Sequence, residues 1–189
     1  MAVVWVRERS SNACRHHRLW PAAITLFIAA SILASGCGEH AELSDPVTSA
    51  VVAHVVDGDT VDLLIDGREE RVRLLGIDAP ESVSRSVPKQ CYGAEASDAL
   101  ATLLPPGSTL RIERDAEARD HYGRLLLYLH RAEDDLFVNL WLVESGFAEA
   151  VSYAPNLAHE TDFERARHQA TTADVGLWAH CDGPDQPLD

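Results

Sequence analysis

The segment VDLLIDGREERVRLLGIDAPE, residues 61–81, constrains this chain more than any other. Two runs rich in valine, leucine and isoleucine flank Asp66-Gly67, a dipeptide suited to the positive φ angles of a two-residue hairpin turn. The runs read as strands, VDLLI (61–65) and RVRLLGI (71–77). Tight antiparallel pairing then sets Asp59 opposite residues near 74–76, with Asp78 just beyond. Two carboxylates are brought to the open end of the hairpin.

The rest of the chain supplies partners for that hairpin. VTSAVVAHVV (47–56) reads as a preceding strand. STLRIER (108–114) and GRLLLYLHR (123–131) read as a fourth and a fifth. GAEASDALATLLP (93–105) has helical apolar spacing and stops at Pro105-Pro106. DLFVNLWLVESG (135–146) reads as a helix ending at Gly146. Residues 156–176 read as a last helix with Asn156 as candidate N-cap. The order β-β-β-α-β-β-α-α predicts an α+β fold, a five-stranded Greek-key barrel with three packed helices. Trp141 and Trp178 read as core packing.

Converging carboxylates repel unless a cation lies between them. Asp59 and Asp78, with no histidine or cysteine nearby in sequence, form an oxygen-only set that suits a hard ion such as Ca²⁺. A backbone carbonyl in the Asp78-Ala79-Pro80 turn could add to the shell. Arg73 and Asp78 are five residues apart and face opposite ways on a regular strand. They share a site only if the strand breaks, and Gly76 is the expected place. Glu81 follows a rigid Ala-Pro step. Metal, carboxylate and arginine together make a phosphoryl-transfer kit: the metal polarises phosphate, arginine binds its oxygens in pairs, and glutamate takes a proton from water.

The N-terminus has another character. Arg7, Arg9, Arg15 and Arg18 precede the apolar run of residues 19–36, a signal-like pattern ending in Ala34-Ser35-Gly36-Cys37. It resembles a bacterial lipobox, with Cys37 lipidated and membrane-anchored in the cell envelope; an ordinary cleaved signal or an uncleaved anchor are the alternatives. Residues 37–46 read as an acidic tether, 47–181 as the domain and 182–189 as a tail. Export permits disulfides, and Cys91 and Cys181 remain as an even pair expected to be bonded, with two buried thiols as the alternative.

The formal net charge is −14, and residues 1–36 carry off four arginines, so the exported part is more acidic still. Lys89 is the one lysine. Such a surface repels polyanions, and charge alone argues against a nucleic-acid partner.

The motifs point the other way. DGDTV (57–61), RLLGIDAPE (73–81), YGRLL (122–126) and a late GLW (176–178) resemble the staphylococcal-nuclease family over about residues 50–178. The resemblance implies an OB-type barrel and Ca²⁺-dependent hydrolysis of DNA and RNA to 3′-phosphate products, most simply by a monomer. It carries metal ligation to Asp59, Asp78 and the carbonyl of Ala79, and the catalytic roles to Arg73, Glu81 and Arg124. Asp57 takes a supporting place behind the metal ligands. Tyr122, His121, Lys89 and Tyr153 are the expected substrate contacts. The loop of residues 82–90 has only Arg85 and Lys89 where relatives are lysine-rich, so weaker binding of long DNA is expected. A catalytically inactive OB-fold nucleic-acid- or ligand-binding envelope lipoprotein is the alternative, separable by metal-dependent cleavage.

Overall fold

The computed structural model describes residues 49–83 and 88–188. The signal, Cys37 and the tether lie outside them. Eleven elements follow in chain order: β1 (Ser49–Val55), β2 (Thr60–Ile65), β3 (Arg68–Leu74), β4 (Ile77–Asp78), α1 (Gly93–Leu103), β5 (Thr109–Glu113), β6 (Leu125–Arg131), α2 (Val138–Glu144), β7 (Glu149–Ala150), α3 (Glu160–Ala173) and α4 (Leu177–His180).

Five strands close into a barrel in the spatial order β1-β2-β3-β6-β5, the α+β architecture expected. The β2–β3 hairpin pairs Thr60 with Arg73 and Ile65 with Arg68, across Asp66 at φ 50 and Gly67 at φ 75. β3 and β6 run parallel, Arg73 beside Leu126, and the other barrel pairings are antiparallel. Val61, Leu63, Val72, Leu110, Leu127 and Leu129 are fully buried. Each contributes about 1.5–3 kcal/mol relative to exposure. Val138 and Leu142 of α2 and Phe163 and Ala166 of α3 join the same core.

The strand break expected at Gly76 is present. β3 ends at Leu74, and Leu75-Gly76 turns into the two-residue β4, which pairs with β7 in a small second sheet. Gly76 has φ +79, and a Cβ there would lie 2.3 Å from the Phe163 ring. No other residue fits that turn under α3. Asn139, wholly buried on α2, steadies it: its amide donates to the carbonyls of Leu75 and Leu127, and its Oδ1 accepts from Leu129 N–H.

Three expectations are corrected. Asn156 is not a helix cap, because α3 starts at Glu160 with His159 at the capping position. Residues 153 and 156 instead form an isolated bridge, and buried Asn156 accepts from Glu117 N–H at 2.7 Å. α2 begins at Val138 because Phe137, just before it, still pairs with His130. Trp178 is half-buried outside the core cluster, whereas Trp141 packs against the core as expected and stacks on Phe147.

Candidate active site

The hairpin register builds the site. Leu74 N–H donates to Asp59 O at 2.9 Å, which anchors the β1–β2 turn on the end of β3. Ala79 N–H donates to Asp59 Oδ2 at 3.0 Å, which draws the segment after β4 to the same point. Gly58 permits the approach: a Cβ there would come within 2.6 Å of Ala79 Cβ.

Arg73 holds these pieces together. Its Nη1 donates to Leu74 O at 3.0 Å and Ile77 O at 2.8 Å, so the turn fixes the guanidinium. Its Nη2 lies 3.0 Å from Asp59 Oδ2 and 2.6 Å from Asp78 Oδ1. Asp59 is only 8% exposed, and a carboxylate that buried needs such partners. Thr60 Oγ1 donates to its other oxygen at 3.0 Å.

Asp57 stands behind Asp59, accepting its backbone N–H at 3.1 Å. Burial, and then the charge of Asp59, push the Asp57 carboxyl up to about 6. Burial also raises Asp78, against the pull of Arg73. A local excess of negative charge attracts a cation.

The oxygen donors Asp59 and Asp78 fit a hard divalent ion, since both already converge on one cationic nitrogen. Among the described residues, no three His, Cys, Asp or Glu side chains form a metal cage by themselves. The arrangement is therefore a half-shell, of the kind completed by backbone carbonyls and water.

Glu81, Arg124, Ala79 and Asp57 line the same cleft of about 310 Å³ as Asp59, Asp78 and Arg73. Glu81 Oε1 accepts Val83 N–H at 2.7 Å. Arg124 enters from the loop before β6, where Asp120 accepts its backbone N–H at 2.9 Å and its Nε at 2.7 Å. A second, more apolar hollow of about 360 Å³ shares Arg73 and Arg124 and is lined by His121 and Tyr153. Tyr122 is 74% exposed, with the Arg124 guanidinium 5.4 Å from its ring centre. Lys89 lines neither hollow; its carbonyl accepts Leu188 N–H.

Four residues of the site escaped the sequence reading: Thr60, Gln90, Asp120 and Asp185. Thr60 belongs to the DGDT motif and Asp120 lies four residues before Arg124, so local spacing could have found both. Gln90 and Asp185 had no such signal. Cys91 and Cys181 are joined in a disulfide, with a Cα–Cα distance of 5.8 Å.

A closed OB-type barrel with carboxylates and two arginines gathered at its rim defines a nuclease, a hydrolase of phosphodiesters. The chain belongs to the family described as staphylococcal nuclease homologue, whose model matches residues 71–180. It is 38% identical to the thermonuclease of Staphylococcus intermedius over 130 residues, 69% of this chain and 76% of the relative. The thermonuclease of Staphylococcus hyicus is 35% identical over 129 residues, 68% of this chain and 75% of the relative. Endonuclease YncB of Bacillus subtilis is 30% identical over 142 residues, 74% of this chain and 66% of the relative. Family membership overrides the argument from net charge: an acidic surface coexists with a nuclease site.

Proposed function

We propose that this nuclease cleaves DNA and RNA in a Ca²⁺-dependent reaction that leaves 3′-phosphate ends. One observation carries the reading: Asp59, Asp78, Glu81, Arg73 and Arg124 all line one cleft, although they come from three separate stretches of chain, 57–61, 73–81 and 122–126. Asp59, Asp78 and the carbonyl of Ala79 would hold the ion, with Asp57 behind them. When bound, the ion polarises the scissile phosphate and orients water.

The chain's own residues do the remainder. Glu81 takes a proton from the attacking water. Arg73 and Arg124 bind non-bridging phosphate oxygens and stabilise the charge that builds on them. The water oxygen bonds to phosphorus, the bond to the 5′ oxygen breaks, and that oxygen leaves with its electron pair and takes a proton from solvent, while Glu81 returns the proton it accepted to solvent. Tyr122, His121 and Tyr153 flank the nucleotide beside the arginines. Lys89 reaches longer substrates from outside the cleft.

The chain is further proposed to act outside the cytoplasm, as a monomer anchored through lipidated Cys37. The basic and apolar residues 1–36 support this reading. Metabolic labelling with a fatty-acid analogue, lost in Cys37→Ser, tests it.

End-group analysis tests the chemistry. Products of Ca²⁺-supported cleavage should accept label from a 5′-hydroxyl kinase without prior phosphatase treatment. Products bearing 5′-phosphate would contradict the proposed bond scission.

A further inference from the structure

We propose that Gln90 and Asp185 position Glu81, and that the C-terminal strap carrying Asp185 is held for this purpose by the Cys91–Cys181 disulfide. The inference rests on the assignment of Glu81 as proton acceptor.

Glu81 is the first residue beyond Pro80 on a loop, and a loop does not by itself fix a side chain to the tolerance catalysis needs. Here the loop is tied. Glu81 N–H donates to Gln90 Oε1 at 2.6 Å, and Gln90 N–H donates to Glu81 O at 2.8 Å. Both backbone groups of Glu81 are thus held by one residue. The far end of the Gln90 carboxamide is held in turn, with Nε2 donating to Asp185 Oδ1 at 2.9 Å. The amide orientation follows from its partners: an N–H needs an acceptor and a carboxylate needs a donor, so a flipped amide would lose both bonds.

Asp185 reaches this point because the chain turns back after α4. Cys181 is bonded to Cys91, the neighbour of Gln90. Cys91 N–H donates to Gln186 O at 2.8 Å, Leu188 N–H donates to Lys89 O at 3.0 Å, and Gln90 bridges Pro187. The strap therefore lies antiparallel to residues 89–91, and Asp185 lines the cleft with Glu81 and Asp78. Residues 95 apart in sequence meet there through one staple and two backbone hydrogen bonds. A conformational change of the strap is transmitted to Glu81 through Gln90, by its carboxamide and by its backbone.

The test is a double-mutant cycle in the full, oxidised chain, read by steady-state and single-turnover cleavage of a short single-stranded DNA oligonucleotide in Ca²⁺. Gln90→Glu keeps an acceptor for Glu81 N–H but sets a second carboxylate against Asp185. We expect kcat to fall about tenfold to a hundredfold, with KM within about threefold of wild type. Adding Asp185→Asn restores the original net charge and supplies a donor from the strap side, and should recover kcat to within about threefold. In a Glu81→Gln background, Gln90→Glu should cause no further loss. Asp185→Ala, on the exposed strap, should lower kcat with KM unchanged; because the residue sits at φ 59, a small fall in the thermal midpoint accompanies it.

Wild-type kcat in both Gln90→Glu and Asp185→Ala overturns the inference, as does an undiminished Gln90→Glu effect without Glu81. Failure of the double variant to recover also overturns it. Full cleavage by Glu81→Gln alone would instead sink the underlying role of Glu81, so the two failures are distinguishable.

Discussion

Arg73 Nη2 stands 2.6 Å from Asp78 Oδ1, and the same nitrogen reaches Asp59. The guanidinium serves as the cation between two carboxylates that would otherwise repel. Under the proposed metal binding those carboxylates would turn to the ion and leave Nη2 for a phosphate oxygen. Lysine cannot reproduce the fork that also holds Leu74 O and Ile77 O. Arg73→Lys should lower kcat by roughly 10²–10³-fold in single-turnover cleavage. It should also enlarge the rise in thermal midpoint that Ca²⁺ produces. An unchanged rate would remove Arg73 from the mechanism.

The Asp57 carboxyl gives the site a pH signature. Its value rises from 3.8 to about 6 through burial and the charge of Asp59. The folded, metal-free protein therefore binds this proton more tightly than the unfolded chain does. The stability Asp57 contributes is present below pH 3.8 and is lost as pH rises through about 6. Relative to wild type, Asp57→Asn should gain stability in urea titrations as pH rises across that window. Ca²⁺ affinity should move oppositely, strengthening through pH 6 as the proton leaves, and this dependence should flatten in Asp57→Asn. A parallel stability profile in the two proteins would contradict the raised value.

Gly76 is a steric requirement as much as a turn. A methyl group there meets the Phe163 ring at 2.3 Å, at φ +79. Gly76→Ala should cost about 2–4 kcal/mol, combining backbone strain with overpacking. Chemical denaturation measures it. A loss under about 0.5 kcal/mol would show that α3 can shift without penalty.

The hairpin, its two aspartates, the strand break at Gly76 and the convergence of Arg73 with Asp78 were legible in sequence because local chemistry dictates them. A DG turn sets the register, and the register places the carboxylates. The β4–β7 sheet was not legible: two-residue strands carry no periodic signal, and only the closed barrel brings Ile77 to Ala150. Asn139 reads as an ordinary polar helix residue until the turn it supports is in place. Asn156 carried a cap signal, but buried pairing with Glu117 outweighed it. Gln90 and Asp185 are joined by the tail's return across the fold, which no local pattern encodes.

The disulfide closes a loop with a sequence separation of 90. Its loss should cost about 4–5 kcal/mol in the chain-entropy account. Reduction by a dithiol should lower the urea midpoint accordingly, and Cys91→Ser/Cys181→Ser should reproduce the shift without reductant. Equal midpoints in reduced and oxidised protein would mean that the cross-link contributes nothing to the fold.

Cleavage of denatured DNA by the protein, beside its Glu81→Gln variant, in Ca²⁺, in Mg²⁺ and in EDTA, tests the central claim most directly. The account predicts cleavage in Ca²⁺, none in EDTA, and a fall of about 10²–10⁴-fold in the variant, as expected for a lost proton acceptor. Cleavage that persists in EDTA, or a variant as fast as wild type, would contradict it.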